Sequence, residues 1–160
     1  MARVSAARRT LTAGILLGLG TVAFVDEAVF HQLLHWHHFY DLSTSEVGLV
    51  SDGLFHAFSW FATVAGLFMV ASLQRERVFR WAPFAAGWLV GAGSFQLYDG
   101  VVQHKIMGIH QIRYGVDLLP YDVTWNVAAA VLLVAGLVWW VVTWRRVRAA
   151  EAASGASARS

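Results

Sequence analysis

The sequence predicts an all-α integral membrane protein: a four-transmembrane-helix bundle built from two tandem, parallel-oriented helical hairpin repeats. Three observations predict it: apolar runs of membrane-crossing length, a one-sided distribution of arginine, and a repeat that aligns polar as well as apolar residues. Hydrophobic residues make up 58% of the 160-residue chain and charged residues only 14%, against about 45–50% and 25% in soluble domains. Mean hydropathy is +0.53. The apolar runs cover 12–34, 54–73, 82–102 and 123–144. Each is close to the ~20 residues that cross a bilayer as a helix.

Arginine sets the orientation, because Lys and Arg beside short loops stay on the cytoplasmic side during insertion. Arg3, Arg8 and Arg9 precede the first run, Arg75, Arg77 and Arg80 lie between the second and third, and Arg145, Arg146 and Arg148 follow the fourth. These segments are expected in the cytoplasm, with both termini. The other two connections carry only Lys105 and Arg113 as cations and are rich in Asp, Glu and His, so they are expected to face outward. Trp36 and Trp125 then fall at the outer boundary and Trp81 and Trp144 at the inner one, where indoles settle. The net charge of +2 follows from the inward arginines, and a nucleic-acid partner is not supported. The partner composition implies is the lipid bilayer, with a second membrane protein or a homo-oligomer as further options.

A shift of 73 residues aligns Gly14 to His37 with Gly87 to His110. The shared pattern GxxxGxGxxxxxDxxxxHxxxxxH pairs Gly14 with Gly87, Gly18 with Gly91, Gly20 with Gly93, Asp26 with Asp99, His31 with His104 and His37 with His110. The following runs align at a shift of 70, pairing Asp52 with Asp122, His56 with Asn126, and Val64-Ala65-Gly66-Leu67 with Val134-Ala135-Gly136-Leu137. A period this long in a hydrophobic chain points to duplication. Two spans per unit give both copies the same orientation. The chain is thus expected to be a single membrane domain over 1–160, with repeat 1 at about 11–73 and repeat 2 at about 82–144. The first run, matched by the third, is expected to stay in the mature protein, and residues 149–160 to form a disordered cytoplasmic tail. The small-xxx-small glycines of the first and third runs let helices approach closely in lipid, so those two helices are expected to meet.

Function is sought among the polar residues. A charged side chain at the bilayer centre costs at least about 2.5–3.5 kcal/mol, so intramembrane acids face the interior and have partners. Asp26 and Asp99 are two such acids, in the outer half of the membrane. If the first helix runs on as an α-helix, Asp26, Leu33 and His37 share one face, and Glu27, His31, His35 and His38 form a second stripe at spacings that suit a metal ion. Asp52 and His56 lie one turn apart at the outer end of the second run. All seven histidines collect at that end. Taken singly, each has an ordinary reading: interfacial histidines, N-caps at Asp52 and Asp122, a helix–helix hydrogen bond at Asp26.

The segment Asp26 to His38, patterned DxxxxHQxLxWHH, with Asp52-Gly53-Leu54-Phe55-His56 after it, resembles a bacterial family of predicted membrane proteins, domain of unknown function 2243. The resemblance covers the spans and outer loops. It implies a multi-pass protein of the bacterial plasma (inner) membrane and supplies no activity.

The leading expectation is an outward-facing transition-metal site for Cu, Zn or Fe, serving metal handling or cofactor assembly. Its candidate ligands are His31, His37, His56, His104 and His110, with Asp26 and Asp99 as ligands or as groups orienting the imidazoles. Secondary candidates are His35, His38, Asp52, Asp122 and Glu27. One alternative is a bis-histidine haem held by His31 and His104 for electron transfer. Others are proton-coupled transport through Asp26 and Asp99, and a structural role in a larger complex. Catalysis is the less favoured reading: cysteine is absent, Ser59 lies inside an apolar run, and neither a nucleophile elbow nor a phosphate loop occurs.

Overall fold

The computed structural model describes residues 2–157. Helix α1 covers Ala2–Asp26 and continues as a π-helical stretch, Glu27–Leu33. Helix α2 covers Ser45–Arg75. Helix α3, Trp81–Leu97, passes into a second π-helical stretch, Tyr98–Met107. Helix α4 covers Leu119–Ser157. No strand occurs among the described residues. Three helices are long and apolar enough to cross a membrane: α1 with its π-helical extension, α2, and α4 over Leu119–Ala156. The 17 residues of α3 span only about 25 Å at 1.5 Å per residue.

Local chemistry sets the boundaries. The Thr44 hydroxyl accepts from Val47 N at 3.5 Å and opens α2, while the Asp117 carboxylate accepts from Leu119 N at 3.1 Å and opens α4. Pro83 sits in the first turn of α3, where its missing N–H has no helical partner to lose. Gly108, at φ 60°, ends the second π-helical stretch. Helix α4 runs on through Ser157, so 149–157 are helical where composition predicts an irregular tail, and 158–160 lie outside the described residues. Four alanines, Ala149, Ala150, Ala152 and Ala153, are the best helix formers, and the Glu151 carboxylate accepts from Arg3 N at 3.1 Å.

The packing is centred on α1 and α3. A Cβ at Gly14 or Gly18 would collide with the backbone of Phe84 or Trp88, and one at Gly87 or Gly91 with that of Leu11 or Ile15. Contact is therefore backbone to backbone. Helix α2 packs on α1 through Gly66 against Leu17 and through Thr63 against Gly20; α4 packs on α3 through Gly136 against Val90 and through Leu133 against Gly93. The backbones of α2 and α3 stay apart, and the two helices meet through side chains, Phe55 stacking on Phe95 with ring centroids 5.8 Å apart. Small residues fill the interior, with Ala7, Ala13, Ala23, Ala86, Ala92 and Ala129 fully buried, while Phe58, Phe61 and Phe68 of α2 and Val127, Val131 and Val138 of α4 are exposed. Small side chains inside and large apolar ones outside suit lipid as the surrounding medium.

The two ends differ. At one, the Arg9 guanidinium donates twice to Glu76 at 2.6 Å, and Arg8 and Arg148 each lie 5.1 Å from the Trp144 ring. The histidines lie at the other.

Candidate metal centre

Each π-helical stretch sits where an acid is followed five residues later by a histidine: Asp26 and His31, then Asp99 and His104. Five residues of α-helix turn through about 500°, leaving such side chains some 140° apart. The i→i+5 hydrogen bonds of a π-helix bring them toward one face. His104 Nε2 accordingly lies 3.1 Å from Asp99 Oδ2, and His31 Nε2 3.8 Å from Asp26 Oδ2.

The first helix does not run on through His38 as a regular α-helix, contrary to the expectation from spacing. Leu34 N bonds back to Val29 O and Trp36 N to Phe30 O, both at 2.9 Å. The chain then turns at His35, with φ 50°. That turn separates the expected stripe and carries His37 inward, to 6% exposure. The loop after α3 folds in the same way and brings in His110.

The two loops hold each other. His37 Nδ1–H donates to the Ile112 carbonyl at 3.0 Å, and His110 Nδ1–H donates to the Phe39 carbonyl at 2.9 Å. Asp41 N donates to Ile109 O at 2.9 Å. The two rings stack, centroids 4.6 Å apart and 4° from parallel. A carbonyl can only accept, so each ring carries a proton on Nδ1, and in its neutral form presents a lone pair at Nε2.

Ligand atoms of His37, His104 and His110, all buried, lie within 4.8 Å of one another. Asp99 joins them, 3.1 Å from His104 Nε2 and 3.4 Å from His110 Nε2. Both ring nitrogens of His104 and Nε2 of His110 are buried without a hydrogen-bond partner. A lone pair at His110 Nε2 facing a carboxylate oxygen is repulsive unless something positive lies between them.

A second nest adjoins the first, with the His31 and His37 ring centroids 4.4 Å apart. His31 Nδ1 lies 3.0 Å from Asp52 Oδ1 and 3.2 Å from Glu27 Oε2. Asp52 lies well inside α2 and caps nothing. Its Oδ1 accepts from Phe39 N at 2.7 Å, and its Oδ2 pairs with His38 Nδ1 at 2.6 Å. Asp26, Glu27, Asp52 and Asp99 are all at most 4% exposed. Among the described residues their only ion-pair partners are histidines. Burying carboxylates with no fixed cation costs several kcal/mol each.

The remaining candidates stand apart. His56 is exposed, its ring 5.4 Å from that of Phe24, and His35 is exposed at the turn. Asp122 pairs with Lys105 Nζ at 2.6 Å. Residue-type reasoning passed over the carbonyls of Phe39 and Ile112, which fix the imidazole tautomers. Their positions, 73 apart, were the available signal.

His37 lies outside the helices, and burial, with His31 and His110 beside it, pushes its pKa down to about 2. Its ring is therefore neutral near pH 7, with Nε2 free of a proton.

The family model described as "Predicted membrane protein (DUF2243)" matches residues 13–143. The chain belongs to this family. No curated protein and no solved structure matches it. Both nests and both loops fall within the span matched by the family.

Proposed function

We propose that this protein binds a transition-metal ion at the extracytoplasmic side of the bacterial inner membrane and serves metal handling or cofactor assembly. The observation that carries the reading is the nest of His37, His104, His110 and Asp99, in which hydrogen bonds from Nδ1 to backbone carbonyls turn Nε2 of His37 and His110 toward the nest. A ligating histidine is commonly oriented through its other nitrogen in this way. Three imidazoles with one carboxylate suit Zn, Cu(II) or Fe(II).

In this reading the chain crosses the membrane four times, with both termini cytoplasmic. The π-helical stretch Tyr98–Met107 supplies the length α3 lacks. The clustering of Arg8, Arg9 and Arg148 at the end away from the histidines supports that orientation. We also read the chain as two tandem hairpins. The pairing of Gly14 with Phe84 and Gly87 with Leu11, and of Gly66 with Leu17 and Gly136 with Val90, supports this, because each contact reappears at a shift of 73 or 70.

The haem alternative loses support from the same geometry. The His37 ring lies 4.4 Å from His31 and 6.1 Å from His104, and the His110 ring 6.1 Å and 4.7 Å from the same two. The region a porphyrin would need between His31 and His104 is filled with side chains.

Elemental analysis of purified protein exposed to Cu, Zn and Fe tests the reading. The expected result is bound metal that is lost or weakened at least tenfold in His104→Ala and His110→Ala. Protein that takes up none of the three ends it. A Soret band abolished by His31→Ala would return the haem alternative to first place.

A further inference from the structure

We infer that the nest of Glu27, His31 and Asp52 is a second, separate divalent-cation site, so that the protein holds a pair of ions. This rests on the metal reading of the neighbouring nest and adds an ion of different ligand chemistry.

The donor spacing fits an ion. Metal–ligand bonds of about 2.0–2.2 Å put neighbouring donors about 2.8–3.1 Å apart at right angles and about 3.3–3.6 Å apart at tetrahedral ones. His31 Nδ1 stands 3.0 Å from Asp52 Oδ1 and 3.2 Å from Glu27 Oε2. All three residues are at most 1% exposed. Glu27 Oε1 accepts from the Gln32 amide at 2.8 Å, but Glu27 Oε2 is buried with no hydrogen bond, as is His31 Nε2. Binding displaces the Nδ1 proton to solvent and puts two positive charges among Asp26, Glu27 and Asp52. One imidazole with two carboxylates favours Mn(II), Fe(II) or Zn(II).

The equivalent place in the other half points the same way. At a shift of 73 Glu27 becomes Gly100 and Gln32 becomes Lys105; Asp52, at a shift of 70, becomes Asp122. Lys105 Nζ pairs with Asp122 at 2.6 Å. A Cβ on Gly100 would lie 2.6 Å from Asn126 Oδ1 and from Trp125 Cδ1, so no carboxylate fits there. One half carries its cation covalently as an ammonium, and the other has two buried carboxylates and a glutamine in place of the lysine.

The test counts zinc in full-length protein, purified in detergent, stripped with chelator and dialysed against Zn(II). Wild type is expected to hold two ions per chain, and Glu27→Gln one. Gln32→Lys is also expected to hold one, because its ammonium takes the place of the ion. It reproduces the pairing that the other half already tolerates, so it is expected to fold, which a thermal melt in detergent checks. A single ion in wild type, kept by both variants and lost in His104→Ala, overturns this inference and leaves the first site standing. Two ions undiminished in both variants also overturn it. No zinc in wild type overturns this inference, and the first reading falls with it only if copper and iron are refused as well.

Discussion

Removing the Asp52 carboxylate is expected to be among the most damaging single changes to stability, apart from any metal. The side chain is 1% exposed and receives three groups: His31 Nδ1 at 3.0 Å, Phe39 N at 2.7 Å and His38 Nδ1 at 2.6 Å. In Asp52→Ala, His38 can turn to water, its side chain being 28% exposed. His31 Nδ1 can turn to Glu27 Oε2, 3.2 Å away, but the Phe39 amide has no such exit. Leaving a buried donor without a partner costs about 1–3 kcal/mol, and the Phe39 amide alone predicts a loss of that size. Asp52→Asn keeps one carbonyl oxygen for Phe39 N and an amide that donates to an imidazole of the other tautomer, for a loss of about 1 kcal/mol. The assay is reversible unfolding in mixed detergent with chelator present, followed by circular dichroism. A loss under about 0.5 kcal/mol in Asp52→Ala, or equal losses in both variants, would refute the reasoning.

Other expectations are more local. Gly91→Ala pushes a methyl into the Ile15 backbone and is expected to cost about 1–3 kcal/mol by overpacking, whereas Gly53→Ala meets nothing within 4 Å and is expected to be neutral or slightly stabilising; thermal melts of the two variants in one detergent compare them. The His37 ring is expected to stay neutral in imidazole NMR spectra from about pH 8 to pH 5. The unfolded chain binds that proton below about pH 6.5, so this residue's share of stability is complete above about 6.5 and falls as pH drops through it. A His37 resonance that titrates near 6.5 would contradict the burial argument. Ile112→Pro keeps the carbonyl that accepts from His37, so its metal affinity should fall less than that of His37→Ala, a ranking that a zinc titration reads.

How much of this was legible in the sequence depended on which period each part obeys. Hydropathy recovered the helical, membrane-spanning character, because apolar length needs no tertiary knowledge, and the polar pattern from Asp26 to His38 recovered the family. The small-xxx-small spacing of Gly14, Gly18, Gly87 and Gly91 marked residues that line the α1–α3 contact, since close approach in lipid has few other solutions. Reasoning from α-helical spacing failed between Glu27 and His38. A π-helical turn has no residue-type signature comparable to a cap or a glycine stop, and it changes which side chains share a face. The same assumption grouped Asp52 with His56, one turn on, yet they diverge: Asp52 points into the protein and His56 outward. Loop reversal at His35 was equally hidden, because its positive φ falls on a histidine rather than a glycine.

The crossed bonds between the loops have a further consequence. His37 and His110 fasten the loop of one half to the backbone of the other through Nδ1, and in the proposed metal site the same two rings would present Nε2 to the ion. Latch and ligand are therefore one part. An ion held at the proposed site could not leave by a widening of the mouth that kept its coordination intact, because parting the loops would withdraw two donors from it together. Exchange would then be all-or-none, its speed set by the rate at which the latch opens rather than by the strength of any single metal bond. A partner delivering or receiving such an ion would have to grip the loops first.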